Sequence, residues 1–329
     1  MSVPVNPIYF TPMNEFSLIQ RYFTRPGRHT LLSIGDDAAL IQPGSDQCLA
    51  VSADMLVAGR HFLTDTDPYR LGWKTLAVNL SDMAAMGAVP RWAMLSLALP
   101  AADAGWLQAF ADGFFALAER FDVDLIGGDT TSGPLNLSVQ IMGEVPAGQA
   151  LRRDGARLGD DIWVSGDIGE AALGLAHLQG GVVLAEAARM AAIARLEQPS
   201  PRIELGLALR GIAHSAIDLS DGLLGDLGHI LERSGCGARI DVAALPASDC
   251  LAPLLRSEPG WDYQLAGGDD YELCFTAPPA RREQVVALQQ ALSLKLTRIG
   301  EITATGLEVR APDGQLHQPK RHSFDHFRA

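Results

Sequence analysis

The chain has 329 residues, 47% apolar and 20% charged, which suits a folded protein long enough for two domains and excludes a disordered one. Its net charge of −13, from 26 basic and 39 acidic residues, disfavours nucleic acid and anionic membrane surfaces as partners. Four widely spaced cysteines (Cys48, Cys236, Cys250, Cys274), with no Cys-x-x-Cys, argue against zinc or a disulfide framework and for reduced thiols in a cytoplasmic protein. Met1 to Thr11 lacks the basic start and apolar run of a signal peptide, and no apolar window is long enough to span a bilayer.

Residues 1–13 read as a loose extension, and the helical spacing of Glu15 to Arg25 predicts a short helix. Leu31 to Ile41 reads as strand, acidic turn, strand, and Leu49 to Met55 as a further strand. Residues 69–87 form a long helical region, expected to break around Asn79–Asp82. Arg91 to Leu99 is a strand, Asp103 to Phe121 an amphipathic helix, and Val123–Ile126 and Leu135–Val145 are strands joined by a Gly-Gly-Asp-Thr-Thr turn. Pro, Gly and paired Arg over 146–160 mark a boundary, giving domains 1–147 and 148–329. Beyond it the pattern predicts strands at 161–165, 215–219, 238–241, 273–276, 296–303 and 307–310. Helices are expected at 169–179, 183–196, 203–213, 222–234 and 281–292. This alternation points to an α/β or α+β fold with helices covering sheets.

The chemistry lies in repeated acidic turns. Asn79-Leu80-Ser81-Asp82 leads into Met83-Ala84-Ala85-Met86, and Leu219-Ser220-Asp221 again precedes an apolar run. Three glycine-flanked turns add Asp36-Asp37, Asp129 and Asp269-Asp270. The steps from Asp82 to Asp129 and from Asp221 to Asp269 are 47 and 48 residues, which fits either an internal repeat or coincidence. One such carboxylate can simply cap a helix or close a turn. Several converging carboxylates are different, because two like charges 4 Å apart repel by about 4 kcal/mol at a surface-like dielectric. Hard divalent cations relieve that repulsion, and Mg2+ takes one or two carboxylates together with water and substrate phosphates. No Gly-x-x-x-x-Gly-Lys-Ser/Thr loop, no Gly-x-Gly-x-x-Gly fingerprint, no protein-kinase signature, no Gly-x-Ser-x-Gly elbow and no calcium-binding loop occurs.

Ile34-Gly35-Asp36-Asp37-Ala38, Ala77 to Ala88 and Leu125 to Thr131 carry a resemblance. Arg202 after Pro199-Ser200-Pro201, Ala216 to Leu223 and Gly267 to Leu273 extend it, and it runs from Glu15 to Phe327. The sequence resembles the bacterial thiamine-monophosphate kinases, of the superfamily that includes aminoimidazole ribonucleotide synthetase and selenophosphate synthetase. The resemblance implies a two-domain PurM-like fold: an amino-terminal sheet domain that pairs in a homodimer, and a carboxy-terminal α/β domain completing the nucleotide and substrate site. It implies ATP-dependent phosphorylation of thiamine monophosphate with several Mg2+ ions. By position, Asp37, Ser52, Asp54, Asp82, Asp129, Asp218 and Asp221 are the implied metal ligands, with Ala53 offering only its carbonyl where the family commonly has threonine. Gly128, Asp129, Arg153 and Ser220 are implied to contact ATP, and His61, Asp269 and Phe324 the thiamine phosphate. The family's Gly-Gly-Glu-Asp-Tyr-Glu is Gly267-Gly268-Asp269-Asp270-Tyr271-Glu272 in this chain, which shortens the first carboxylate by one methylene.

A phosphate acceptor needs no strong general base, so direct in-line transfer is expected with no residue assigned that role; Asp82, Asp129 and Asp54 carry the chemistry through the cations they hold. Another ATP-using synthetase or kinase of the superfamily, or a non-catalytic protein that binds divalent ions or nucleotide, is the alternative reading. A selenophosphate synthetase normally has a cysteine before the first acidic turn, and Cys48 comes after it.

Overall fold

Asn14 caps the first helix by accepting the Ser17 N–H at 2.8 Å, in a computed structural model that describes residues 14–256, 258–319 and 323. The expected helix keeps its regular form only over α1 (Glu15–Leu18), then widens into a π-helical turn, Ile19–Phe23, that buries Tyr22 and Phe23. Strands β1 (Thr30–Leu32) and β2 (Leu40–Ile41) pair across the first acidic turn. Next come β3 (Gln47–Val57), α2 (Pro68–Ala85), β4 (Val89–Leu99), α3 (Ala104–Arg120), β5 (Asp124–Ser132) and β6 (Asn136–Pro146). They build a four-stranded sheet in the order β3-β6-β4-β5. Only β4 and β5 run parallel, and α3 supplies the crossover that a parallel pair requires.

Helix α2 corrects the expected break. Asp67 caps it, Pro68 opens it, and it runs unbroken through Asn79–Asp82. The polar side chains that suggested a break are absorbed by the helix: Thr75 Oγ1 donates to the Leu71 carbonyl at 2.7 Å, and Asn79 Nδ2 to the Thr75 carbonyl at 3.1 Å. Ser81 and Asp82 therefore sit near the helix end, not its start, and Gly87 at φ 61° closes it. The helix dipole disfavours a carboxylate there, so capping does not account for Asp82. The Gly-Gly-Asp-Thr-Thr segment is likewise no turn but the body of β5. Gly128, at φ 145°, lets the strand continue where a Cβ would stand 1.8 Å from the Leu95 carbonyl oxygen.

The second half contributes β7 (Asp161–Ser165), α4 (Glu170–Leu178), α5 (Glu186–Glu197), α6 (Ile203–Leu209), β8 (Ser215–Asp218) and α7 (Leu223–Ser234). These are followed by β9 (Gly237–Asp241), α8 (Glu258–Ala266), β10 (Leu273–Ala277), α9 (Arg282–Leu292), β11 (Leu296–Thr303), β12 (Leu307–Arg310) and β13 (Leu316–His317). The seven-stranded sheet runs β13-β12-β9-β11-β7-β10-β8. Both faces are covered: Trp163 and Phe275 stack at 6.4 Å on one, while Ile162, Val164 and Ile217 pack with Leu224 and Leu227 of α7 on the other. Helix α8 has no counterpart among the expected elements; Pro259 falls in its first turn, where proline is tolerated. The two Leu-Ser-Asp runs occupy unlike structures, a helix end and the loop before α7, which removes the support for an internal repeat.

Helix α2 is buried on nearly all sides and joins the halves. One apolar core runs from α2, α3 and the four-stranded sheet to Trp163, Ile203, Leu209 and Phe275. Gly206 of α6 lies so close to α2 that a Cβ would stand 2.0 Å from the Ala84 carbonyl oxygen. Gly206→Ala is expected to destabilise the protein by about 1–3 kcal/mol through forced separation of the helices. A lowered urea midpoint checks this, and an unchanged midpoint contradicts the contact.

Candidate functional site

The end of α2 faces β3 and β8, and this convergence builds an acidic cleft. Ser52 and Asp54 alternate onto the α2-facing side of β3, where Ser52 Oγ donates to Asp82 Oδ2 at 2.5 Å and the Asp54 N–H to Asn79 Oδ1 at 3.2 Å. Asp218, the last residue of β8, is 4% exposed, and Asp221 follows in the loop to α7. Burial, then the charges of Asp82, Asp218 and Asp221, raise Asp54 from 3.8 to about 7. Burial and the Asp82 charge raise Asp218 to about 7 as well. Burial raises Asp82 too, opposed by its bond from Ser52 and by the charge of Arg153. Asp54 and Asp82 lie close enough for their charges to interact, and a cation between them would relieve that repulsion.

This donor set fits Mg2+. Every side-chain donor is a hard oxygen, and the carboxylates are crowded enough to hold protons near neutrality. Among the described residues no three His, Cys, Asp or Glu side chains are grouped so as to hold a metal ion by themselves. An ion that keeps waters and shares substrate phosphates needs no such group. Ala53, on the other face of β3, offers its backbone alone.

Two cavities flank the site and a third lies apart from it in the amino-terminal half. One of about 320 Å³ is lined by Ser52 and Asp82 together with Arg152, Arg153 and Arg233, a cationic mouth on an acidic floor. A second, of about 230 Å³, holds His61, Lys74 and Asp269 among Phe62, Leu175 and Leu196. There the Val57 N–H donates to His61 Nδ1 at 3.0 Å, which leaves Nε2 to carry the proton of a neutral ring. The third, of about 840 Å³, lies between the first helical segment, the acidic turn and β5, and is lined by Asp37, Gly128 and Asp129.

The structure thus groups Ser52, Asp54, Asp82, Asp218 and Asp221 with Arg153. It places His61 and Asp269 beside them, with Tyr271 buried nearby and its phenol pushed well up by burial and by Asp269, Asp54, Asp218 and Asp221. Asp37 and Asp129 stand apart. Asp129 is on β5 and Asp54 on β3, at opposite sheet edges three strand spacings (about 14 Å) apart. The Ser220 carbonyl accepts the Asp269 N–H at 2.8 Å, which ties the loop before α7 to the Asp269 turn. Phe324 lies outside the described residues.

Three contributors were not read from the sequence. Lys74 is 2% exposed and pairs with Asp269 at 2.7 Å. Tyr271 is buried and its hydroxyl donates to Asp269 Oδ1 at 3.4 Å. Asp226 accepts the N–H groups of Asp221 and Gly222, both at 3.1 Å, and burial with Asp218 and Asp221 raises it to about 8. The available signals were a lysine inside an apolar helical run and an acid one turn after Gly222.

Two family models cover most of the chain: AIR synthase related protein, N-terminal domain, at residues 35–145, and the C-terminal domain of the same family at residues 157–311. The chain is 52% identical over 319 residues to the thiamine-monophosphate kinase of Escherichia coli (strain K12), spanning 95% of this chain and 98% of that protein. The chain belongs to the thiamine-monophosphate kinase family. The crystal structure of the thiamine-monophosphate kinase from Stenotrophomonas maltophilia K279a matches with a TM-score of 0.82 at 52% identity, covering 88% of this chain and 92% of that one. AaThiL complexed with AMPPCP and TMP matches with a TM-score of 0.76 at 33% identity, covering 90% and 92%. Kinship with these thiamine-monophosphate kinases extends across both sheets, so the expected PurM-like α/β architecture holds. Among the described residues no helix is long and apolar enough to cross a membrane.

Proposed function

We propose that this chain transfers the γ-phosphoryl group of ATP in line to the phosphate of thiamine monophosphate, giving thiamine diphosphate and ADP. The observation that carries this reading is the likeness to AaThiL complexed with AMPPCP and TMP, combined with an acidic cleft flanked by one cationic and one largely apolar cavity. Donor and acceptor are both anionic, so the protein's task is to bring them together. Arg153 and Arg233 draw the polyphosphate to the 320 Å³ cavity, and Ser220, in the loop between β8 and α7, is assigned a further ATP contact. His61, Asp269 and Phe324 are assigned to the thiamine end.

Ser52, Asp54, Asp82, Asp218 and Asp221 would hold Mg2+, with the Ala53 carbonyl as a further donor. Asp37 and Asp129, with Gly128, fit a separate cation and nucleotide contact in the amino-terminal cavity. When bound, Mg2+ neutralises the phosphates and the charge that develops on the transferred group. The residues' part is to fix the two anions in line, and no protein base is needed.

The division into domains 1–147 and 148–329 belongs to the same proposal, as do a cytoplasmic setting and a homodimer. The exposed face of edge strand β3 carries Leu49, Val51 and Met55, which are 40%, 60% and 53% exposed; packing it against a second copy removes that apolar surface from water. Incubation with ATP, Mg2+ and thiamine monophosphate is expected to yield thiamine diphosphate and ADP in equal amounts by mass spectrometry. Chelation by EDTA should stop it, and Mg2+ should restore it. No diphosphate, or undiminished product after chelation, overturns the reading.

A further inference from the structure

A lysine in the middle of a packed helix is costly to bury unless something holds its charge. Lys74 lies on α2 and is 2% exposed. Its Nζ meets Asp269 Oδ1 at 2.7 Å and lies 3.4 Å from the His61 carbonyl oxygen, at the floor of the 230 Å³ cavity. Asp269 is itself held in an unusual way. Its φ is 70° and that of Tyr271 is 50°, left-handed values that non-glycine residues adopt only where the surroundings enforce them. The enforcing bonds run from the Asp269 N–H to the Ser220 carbonyl and from the Tyr271 N–H to the Leu219 carbonyl, both 2.8 Å.

The decisive feature is which carboxylate oxygen is used. Lys74 and the Tyr271 hydroxyl, the latter at 3.4 Å, both engage Oδ1. Among the described residues no hydrogen bond reaches Oδ2. Phe62, Leu175, Leu178 and Leu196 supply the apolar surface of the same cavity. The chamber therefore combines an apolar wall, a carboxylate oxygen that accepts no hydrogen bond and a lysine whose charge the carboxylate already offsets. That combination suits a cationic nitrogen heteroaromatic bearing an N–H donor, and repels it less than a bare ammonium would.

We propose that Lys74 is a positioning residue: it turns Asp269 so that Oδ2 faces the ring end of the acceptor, and it thereby sets affinity for the acceptor rather than for ATP. The proposal deepens the reading above and rests on it. It also gives the shortened side chain a rationale, since Asp269 has one methylene fewer with which to reach and needs a fixed anchor.

The test is steady-state kinetics of the full chain, varying thiamine monophosphate and ATP separately, for Lys74→Met, Asp269→Asn and the double variant. Each single change is expected to raise KM for thiamine monophosphate about tenfold. KM for ATP should move less than about twofold and kcat only a few-fold. The double variant should be no worse than Asp269→Asn alone, because Lys74 acts through the carboxylate that is already gone. A general packing role predicts instead that the two effects multiply and that both KM values rise. Either of those results, or an unchanged acceptor KM in Lys74→Met, overturns the proposal. If Lys74→Met fails to fold with the Asp269 charge unpaired, comparison of the double variant with Asp269→Asn decides alone. Wild-type protein that makes no thiamine diphosphate sinks the functional reading itself, a distinct outcome seen before any variant is made.

Discussion

Asp82→Asn is expected to reduce kcat by at least a factor of about 10²–10³ at saturating Mg2+, while the protein stays folded. The replacement keeps the shape and an acceptor for the 2.5 Å bond from Ser52, and removes only the charge. The metal-free variant should be at least as stable as wild type at neutral pH. Asp54 and Asp218 stand at about 7 in the folded chain against an ordinary 3.8. Groups raised in this way favour the fold below about pH 4 and lose that contribution as pH rises through 7. The Asp82 charge contributes to both shifts, so its neutralisation eases the loss. Calorimetric melting in EDTA between pH 4 and 8 checks this, with a flatter decline expected for the variant. Near-normal turnover, or a variant that melts well below wild type at pH 7, contradicts the assignment.

The second large effect is structural. Glu272 Oε2 accepts from Ser165 Oγ at 2.5 Å and from Arg202 Nε at 2.6 Å, while Oε1 accepts from Arg195 at 2.6 Å and from Arg202 Nη2. Its side chain is fully buried, and Gly166 behind it leaves no room for a Cβ, which would lie 2.2 Å from Oε1. Glu272→Gln leaves two largely buried guanidinium groups without their counter-charge and is expected to destabilise by about 3–5 kcal/mol. Burial alone would raise the carboxyl, but Arg202, Arg195 and Ser165 outweigh it and hold it below its ordinary 4.5. A lowered group contributes stability above that value and loses it as pH falls through the folded value. The variant's deficit in urea unfolding should therefore be full at pH 7 and shrink below about pH 4.5. A deficit that grows on acidification contradicts this account. Asp270, one residue earlier, behaves oppositely: burial raises it to about 7 even though it accepts the Gly169 N–H at 2.6 Å.

The sequence revealed those parts of the fold whose local pattern agrees with their surroundings. Strands β7, β11 and β12 begin and end where their apolar runs do, because all three are framed by turn residues. The unbroken α2 was hidden because Asn79 and Thr75 satisfy themselves on helix carbonyls, which polar residue type alone does not disclose. The carboxylates were legible as a repeated chemistry, yet which of them meet depends on strand order: β3 and β8 bring Asp54 and Asp218 to Asp82, whereas β5 carries Asp129 to the far edge of its sheet. Lys74 stayed invisible because its partner Asp269 is remote in sequence, and an aliphatic stem inside a helical run reads as amphipathic filler. Roles came chiefly from the resemblance, since spacing cannot tell a phosphate contact from a turn.

Crystals grown with Mn2+ and a non-hydrolysable ATP analogue would test the central claim most directly, through anomalous scattering from the metal. The account predicts peaks about 2.0–2.2 Å from carboxylate oxygens of Asp54, Asp82 and Asp218, bridged to the terminal phosphate. Metal and polyphosphate bound together elsewhere, with those three carboxylates left without a metal, would contradict it.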